Sequence, residues 1–183
     1  RLKFNLPKVI LPINGKTLLQ RSLYSLGKLS PSKTIIVAGF KKELVINLSK
    51  TLNYKNLKFV VQKEQLGTGD AVKKAASSLD DKSIALIMNG DTPFVDEETI
   101  NQALSQYRKT KSVFTIATTK PSSPFGYGRI LRDNDGQILD IVEEKDCNNE
   151  QKLIKEVNAG LYLIATDYLK KFVKKIKKNK NSE

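Results

Sequence analysis

The sequence predicts an α/β chain: a Rossmann-like, doubly wound, mainly parallel sheet with an inserted β-hairpin region. Three observations carry this. Short apolar runs alternate with segments of helical periodicity from Thr34 to Thr118, the rhythm of strand–helix–strand units with right-handed crossovers. One run, Ile84-Ala85-Leu86-Ile87-Met88, is unbroken and ends in Asn89-Gly90-Asp91, as a parallel strand buried on both faces does at its carboxyl edge. The rhythm then changes: Asp133-Asn134-Asp135-Gly136 separates two further β-rich runs, which is a hairpin signal.

The elements follow in order. An irregular basic start, Arg1 to Asn5, leads into Leu6-Pro7-Lys8-Val9-Ile10-Leu11-Pro12, whose prolines forbid a long central strand. Asn14-Gly15 marks a turn. Thr17 and Gln20 form a capping box for a helix with Leu19, Leu23 and Leu26 on one face. Thr34–Ala38 is a strand, Leu44, Leu48 and Leu52 mark a helix, and Leu57–Val61 is the next strand. A helix over 69–79 precedes the strand that ends at Asp91. Ile100, Ala103, Leu104 and Tyr107 define another helix, followed by a β-rich run over 112–118. Runs 129–132 and 137–142 flank the hairpin turn, a polar helix or loop follows, and Val157–Ala165 is the last strand. Leu169, Phe172, Val173 and Ile176 then fall at helical spacing, with lysines from Lys170 to Lys180 on the polar side.

Composition narrows the chemistry. The 183 residues suffice for one domain with a sizeable core, and no stretch approaches a membrane span. There is no histidine, which removes the commonest general base, the triads that use it and most zinc sites. The single cysteine, Cys147, lies in a polar segment without a cysteine or histidine partner and reads as a bystander thiol; no disulfide framework is possible within the chain. No signal peptide is visible, so a cytoplasmic protein is the expectation. The net charge of +13 suggests nucleic acid, but lysine far outnumbers arginine, the residue suited to bidentate recognition. A solvated lysine face is the simpler reading, and the positive field would attract an anionic small substrate.

Four stretches could carry chemistry. Asp91 at a strand's carboxyl edge could hold a hard divalent cation together with substrate phosphates, or could simply open the turn before Pro93. Glu64-Gln65-Leu66-Gly67-Thr68-Gly69-Asp70 follows a strand and opens a helix, where glycines let the backbone approach a ligand and the helix offers unpaired amides. Gln62 and Gln65 can donate to and accept from a base edge. The stretch is neither the dinucleotide fingerprint nor a Walker loop. Pro124-Phe125-Gly126-Tyr127-Gly128-Arg129 suits close packing on a planar or sugar ligand, or is an ordinary glycine loop. Asn158-Ala159-Gly160 puts a polar side chain and a glycine inside a strand, which calls for a hydrogen-bond partner and a close neighbour.

Taken singly these motifs are weak; their order is informative. Leu6-Pro7-Lys8-Val9, Gln62-x-Glu64-Gln65-Leu66-Gly67-Thr68-Gly69, Asn89-Gly90-Asp91-x-Pro93, Gly126-Tyr127-Gly128-Arg129-Ile130, Ile141-Val142-Glu143-x-Lys145-Asp146 and Asn158-x-Gly160 together resemble the sugar nucleotidylyltransferases. Within that family they are most similar to the N-terminal uridylyltransferase domain of the bacterial bifunctional N-acetylglucosamine-1-phosphate uridylyltransferase / glucosamine-1-phosphate acetyltransferases. The resemblance spans nearly the whole chain in register. It implies transfer of a uridylyl group from UTP to N-acetylglucosamine 1-phosphate, with Mg2+ as cofactor. It further implies that Gln62 reads the uracil beside Gly67 and Thr68, and that Asn89 and Gly90 contact the nucleotide sugar. By the same resemblance Asp91 holds magnesium, Gly128, Glu143 and Asn158 grip the amino sugar, and Lys8 and Arg1 face the phosphates. Asn89 stands where some relatives have tyrosine. The nucleophile would be a phosphate oxygen already ionised near pH 7, so a chain without histidine is compatible with the reaction.

The resemblance also implies parts outside these residues: a first strand and glycine-rich loop preceding Arg1, a second magnesium ligand after Glu183, and a trimer-forming acetyltransferase domain. Residues 1–183 are therefore expected to be a partial nucleotidylyltransferase domain, impaired when isolated. The competing readings are a nucleotidylyltransferase for another sugar 1-phosphate or nucleotide, and a non-catalytic module that binds a nucleotide sugar. No nucleic-acid or membrane partner is expected.

Overall fold

The computed structural model describes residues 5–93 and 95–176. A 3-10 turn, Lys8–Ile10, begins the chain, and a short hairpin, β1 (Pro12–Ile13) and β2 (Lys16–Thr17), follows it. Its turn is the Asn14-Gly15 pair, with φ of 49° and 73°, the left-handed geometry of a two-residue hairpin loop. Helix α1 (Leu18–Lys28) starts at the expected capping box: Thr17 Oγ1 accepts from the Gln20 amide at 3.2 Å, and Gln20 Oε1 accepts from the Thr17 amide at 2.7 Å. β3 (Thr34–Ala38), α2 (Lys42–Thr51), β4 (Leu57–Val61), α3 (Thr68–Ala76), β5 (Ile84–Met88), α4 (Glu97–Thr110) and β6 (Phe114–Thr119) continue the predicted alternation. The hairpin β7 (Arg129–Arg132) and β8 (Ile138–Val142), the short α5 (Asn149–Lys152), β9 (Val157–Ala165) and α6 (Thr166–Phe172) complete it.

The mixed α/β class and the inserted hairpin are as expected. β3 and β4 pair in parallel, Thr34 opposite Leu57 through Ala38 opposite Val61. The extent of parallel pairing is smaller than the alternation suggested. Among the described residues β5 pairs only with β9, and antiparallel, within a five-stranded sheet of β5, β9, β7, β8 and β6. Ile84 is 40% exposed, so β5 is not covered along its whole length as its apolar run implied. The free edges of β3 and β5 face a common groove of about 1270 Å³, floored by α3 residues Ala71, Val72 and Ala75. An apolar run reports that a strand is covered; it does not report which strand lies next to it.

Two apolar clusters flank that groove. Leu19, Leu23, Ala38 and Val45 join α1, β3 and α2. Ala76, Ala85, Ile164, Leu169 and Val173 join α3, β5, β9, α6 and the turn after it. The buried stripe of α2 runs through Val45 and Ser49 rather than Leu44, which is 40% exposed, while Leu52 packs against the core as expected. Serine can sit there because its hydroxyl donates to the Val45 carbonyl at 2.7 Å. The lysine-rich helix also ends early. After Phe172 the chain tightens into a 3-10 turn, Val173–Lys175, so Leu169 and Val173 are buried but Phe172 and Ile176 are exposed. Its predicted continuation to Lys180 lies outside the described residues. Cys147 is buried, and its Sγ lies 3.5 Å from the Val142 carbonyl oxygen.

Candidate active site

The site gathers at the carboxyl ends of β3, β4 and β5. β5 leaves the sheet at Asn89, whose carbonyl accepts from both the Thr92 amide, at 3.3 Å, and the Thr92 hydroxyl, at 2.6 Å. That double hold fixes the Asn89–Thr92 turn and so the direction of Asp91. Lys8 Nζ reaches Asp91 Oδ2 at 2.9 Å, the pair being partly open to solvent. Gly90 packs closely beside it: a Cβ there would stand 3.3 Å from Val9 Cγ1, so the valine would have to shift slightly to admit one. The basic segment after Pro7 is thereby packed against the Asn-Gly-Asp turn.

On the other side of the groove Gly67 caps α3 with φ of 88°, a value that favours glycine. No side chain caps α3, so its first amides point outward, the arrangement that binds anions. Gln62 Nε2 donates to the Gly67 carbonyl at 3.2 Å and to Asp70 Oδ2 at 2.9 Å. Lys8, Gln62, Gly67, Thr68, Asn89 and Gly90 all line the groove.

Asp91, Gly128, Glu143 and Asn158 lie outside the groove lining; Asp91 is tied to it through Lys8, and the other three through a chain of neighbours that begins at Asn89. In β9, Gly160 has φ of 72° where the strand register shifts against β6. A Cβ at Gly160 would lie 2.8 Å from Asn89 Nδ2, so only glycine lets Asn89 occupy its place. The Gly160 amide donates to Asn158 Oδ1 at 2.9 Å, and Asn158 Nδ2 donates to the Tyr162 hydroxyl at 2.6 Å. The Asn158 amide donates to the Gly128 carbonyl at 2.9 Å, and a Cβ on Gly128 would sit 3.4 Å from Glu143 Oε1. A continuous path therefore runs from Asn89 through Gly160 and Asn158 to Gly128 and Glu143. Arg1 lies outside the described residues.

Two parts of this arrangement were not anticipated. Arg129, 2% exposed, lies where β7, β8 and β9 meet and donates from Nη2 to Glu144 Oε2 at 2.6 Å. Its Nη1 donates to the Tyr127 carbonyl, and the same Glu144 oxygen accepts from the Gly126 amide at 3.0 Å. The Arg129 hydrogen bond, then the Gly126 amide, hold the Glu144 carboxyl below its ordinary range. The loop over 124–128 is thus clamped from below, with Phe125 and Tyr127 exposed above it. Asp70 is the second. Neither Arg129 nor Asp70 differs in sequence from an ordinary surface charge; only burial and partner identify them.

A family model described as Nucleotidyl transferase matches residues 2–183. The chain belongs to the nucleotidyl transferase family. It is 38% identical over 185 residues to a probable UDP-N-acetylglucosamine pyrophosphorylase of Acanthamoeba polyphaga mimivirus, covering all of this chain and 72% of that one. It is also 38% identical over 180 residues to the bifunctional protein GlmU of Streptococcus mutans, covering 98% of this chain but 38% of the relative. The chain thus spans well under half the length of that bifunctional relative. Among solved structures of the fold, HddC from Yersinia pseudotuberculosis superposes with a TM-score of 0.73 at 22% identity, covering 93% of this chain and 72% of that one. An apo UDP-glucose pyrophosphorylase superposes with the same TM-score at 20% identity, covering 97% and 75%. These likenesses show a Rossmann-like nucleotidyltransferase fold. Among the described residues no helix is long and apolar enough to cross a membrane.

Nucleotidyl transferases generally use a divalent metal. No cluster of three or more metal-ligating side chains occurs among the described residues. The donor chemistry still fits magnesium, which takes one or two carboxylates and completes its shell with water and substrate phosphates. Asp91 would be this chain's share.

Proposed function

We propose that the protein transfers a uridylyl group from UTP to N-acetylglucosamine 1-phosphate, giving UDP-N-acetylglucosamine and pyrophosphate. The observation that carries this is one groove lined by Gln62 and Gly67 at one end and by Asn89 and Gly90 at the other, with Gly160 and Asn158 leading on from Asn89 to Gly128 and Glu143. A nucleotide sugar needs such a track: a base at one end, phosphates in the middle and a sugar at the other. The name of the mimivirus relative, a probable UDP-N-acetylglucosamine pyrophosphorylase, supports this choice of nucleotide sugar.

In this reading the base lies against Gln62 with its edge toward Gly67 and Thr68, and the sugar lies against Gly128, Glu143 and Asn158. Asn89 and Gly90 touch the nucleotide sugar between them. The incoming sugar phosphate oxygen forms the new bond to the α-phosphorus, and the bond from that phosphorus to the bridging oxygen of pyrophosphate breaks. A magnesium ion held by Asp91, when bound, neutralises phosphate charge. Lys8, paired with Asp91 at 2.9 Å, can turn its ammonium to a phosphate, and Arg1, which lies outside the described residues, is assigned the same role from its sequence motif alone. No proton needs to be abstracted, so the work is alignment and charge neutralisation.

The test is product formation by the native-length protein against a panel of nucleoside triphosphates and sugar 1-phosphates, with Asp91→Ala alongside. UTP with N-acetylglucosamine 1-phosphate should be the preferred pair, and Asp91→Ala should lower the rate by at least about 100-fold, the scale of losing one transition-state charge partner. A rate within a few-fold of wild type in Asp91→Ala would sink the assignment of Asp91. Preference for another pair would replace the substrates named here.

A further inference from the structure

We propose that Asp70 locks the side-chain amide of Gln62 so that only its oxygen is presented to the nucleobase, making Asp70 a positioning residue for base selection. The proposal rests on the reading above that a base binds at Gln62.

A glutamine amide can face a base with either its donor or its acceptor, because rotation about the last bond exchanges the two at small cost. A free glutamine therefore reads a base edge ambiguously. Gln62 is not free. Its Nε2 carries two protons, and two acceptors meet that nitrogen: the Gly67 carbonyl at 3.2 Å and the Asp70 carboxylate at 2.9 Å. Neither acceptor can donate. Rotating the amide would bring Oε1 against two oxygens, one of them charged, and would forfeit a charge-assisted hydrogen bond. The orientation follows from the chemistry of the two partners.

The lock is built from local structure. Gly67 can offer its carbonyl because its φ of 88° turns the chain before α3. Asp70 lies in the first turn of α3, where a carboxylate also suits the helix dipole. Gln62 is anchored through its main chain as well, the backbone N–H donating to the Ala38 carbonyl at 2.9 Å. With both Nε2 protons engaged, Oε1 is the atom left to meet a ligand in the groove.

An acceptor at that point selects bases that bring a proton to it. Uracil carries one at N3. Cytosine has a lone pair at N3, which would face Oε1 lone pair to lone pair. Asp70 thus supplies discrimination without touching the base. An asparagine at 70 can donate as well as accept, and so would support either orientation of Gln62.

The experiment measures kcat/KM of the native-length protein for UTP, CTP and N3-methyl-UTP, which lacks the imide proton, and repeats it in Asp70→Asn. Wild type should prefer UTP over both others by about 10- to 100-fold, the worth of one well-placed hydrogen bond and the penalty of an unpaired one. Asp70→Asn should narrow the UTP-to-CTP ratio by about 10-fold while N3-methyl-UTP remains a poor substrate. A merely structural Asp70 would lower all rates together and leave that ratio unmoved, which would overturn the proposal. Equal use of UTP and N3-methyl-UTP by wild type would also overturn it, and this arm needs no variant to fold. If wild type turns over another nucleotide and not UTP, the uridylyl reading fails first and takes this inference with it; UTP turnover with an unmoved ratio sinks the lock alone.

Discussion

The two sides of the groove are built by different means. One side rests on a two-stranded parallel pair, β3 and β4, with α1 and α2 against it and the cluster of Leu19, Leu23, Ala38 and Val45. The other is a five-stranded sheet with β9 at its centre, in which β5, β6 and β7 all pair with the same strand. The proposed base-facing residues Gln62, Gly67 and Thr68 sit at the end of the parallel pair and the start of α3. Of the proposed sugar residues, Asn158 lies in β9 of the antiparallel sheet, held by part-buried bonds to Gly160 and Tyr162, while Gly128 and Glu143 flank β7 and β8 at its edge. The difference teaches where rigidity is needed. A sugar with several hydroxyls must be oriented by groups that cannot shift, whereas a flat base needs one edge contact fixed, and a single locked amide can do that.

The largest break of this comparison is Arg129→Ala. Its side chain is 2% exposed and joins the 124–128 loop to the junction of β7, β8 and β9. Removing it should cost about 3–5 kcal/mol, the range for emptying a large buried side chain. Lys33→Ala removes an ion pair of similar distance, Lys33 to Asp80 at 2.5 Å, at a solvent-accessible position in the groove lining, together with a bond to the Ser78 carbonyl at 3.1 Å. It should cost no more than about 1 kcal/mol, as exposed pairs do. Urea denaturation of both variants checks the contrast; equal costs would show that burial of Arg129 is not what matters.

Those two pairs also show what a sequence can reveal. The hairpin turn, the capping box, β3 and β9 were legible because turn chemistry and periodicity are local. So was the order of the site motifs, in which Gly67, Gly126, Gly128 and Gly160 stand where the backbone turns or comes close to a neighbour. The partners of the strands were not legible, since an apolar run on β5 reads the same beside β9 as beside any parallel neighbour. In α2 the leucine spacing located Leu52 but not the buried Val45 and Ser49, because a serine whose hydroxyl is satisfied inside its own helix gives no apolar signal. The Arg129–Glu144 clamp and the Gln62–Asp70 lock were invisible because both depend on which charge is buried with which partner, and the motif residues beside them gave no sign of it.

A second contrast uses two glycines of nearly equal backbone angle. Gly160, φ of 72°, lies in β9 against Asn89, and Gly15, φ of 73°, lies in the β1–β2 turn with nothing near its missing Cβ. Gly15→Ala should cost about 1 kcal/mol, the strain of a left-handed alanine. Gly160→Ala should cost about 2–3 kcal/mol, because Asn89 must also move. In an Asn89→Ala background the extra cost should disappear, leaving a coupling of about 1–2 kcal/mol between the two sites. Additive effects would mean that Asn89 has room to spare and that Gly160 does not set its position.

The smallest expected effect tests the antiparallel side alone. Glu156 takes a two-pronged grip from Arg132, with Oε2 to Nε at 2.9 Å and Oε1 to Nη2 at 2.6 Å. The Arg132 hydrogen bonds hold the Glu156 carboxyl down to about 2 from an ordinary 4.5, against the opposing effect of burial. The folded state thus binds the proton more weakly than the unfolded chain. The stabilisation is fully present above pH 4.5, falls as the pH drops toward 2, and is gone below that. Arg132 is partly open to solvent, so the contribution should be about 1 kcal/mol after screening. Glu156→Gln should therefore be less stable than wild type at pH 6, and the gap should close as the pH falls from 5 to 2.5 in urea titrations at low salt. A gap that stays constant over that range would mean that the carboxylate's charge contributes nothing, and that the grip of Arg132 on this strand is a matter of shape.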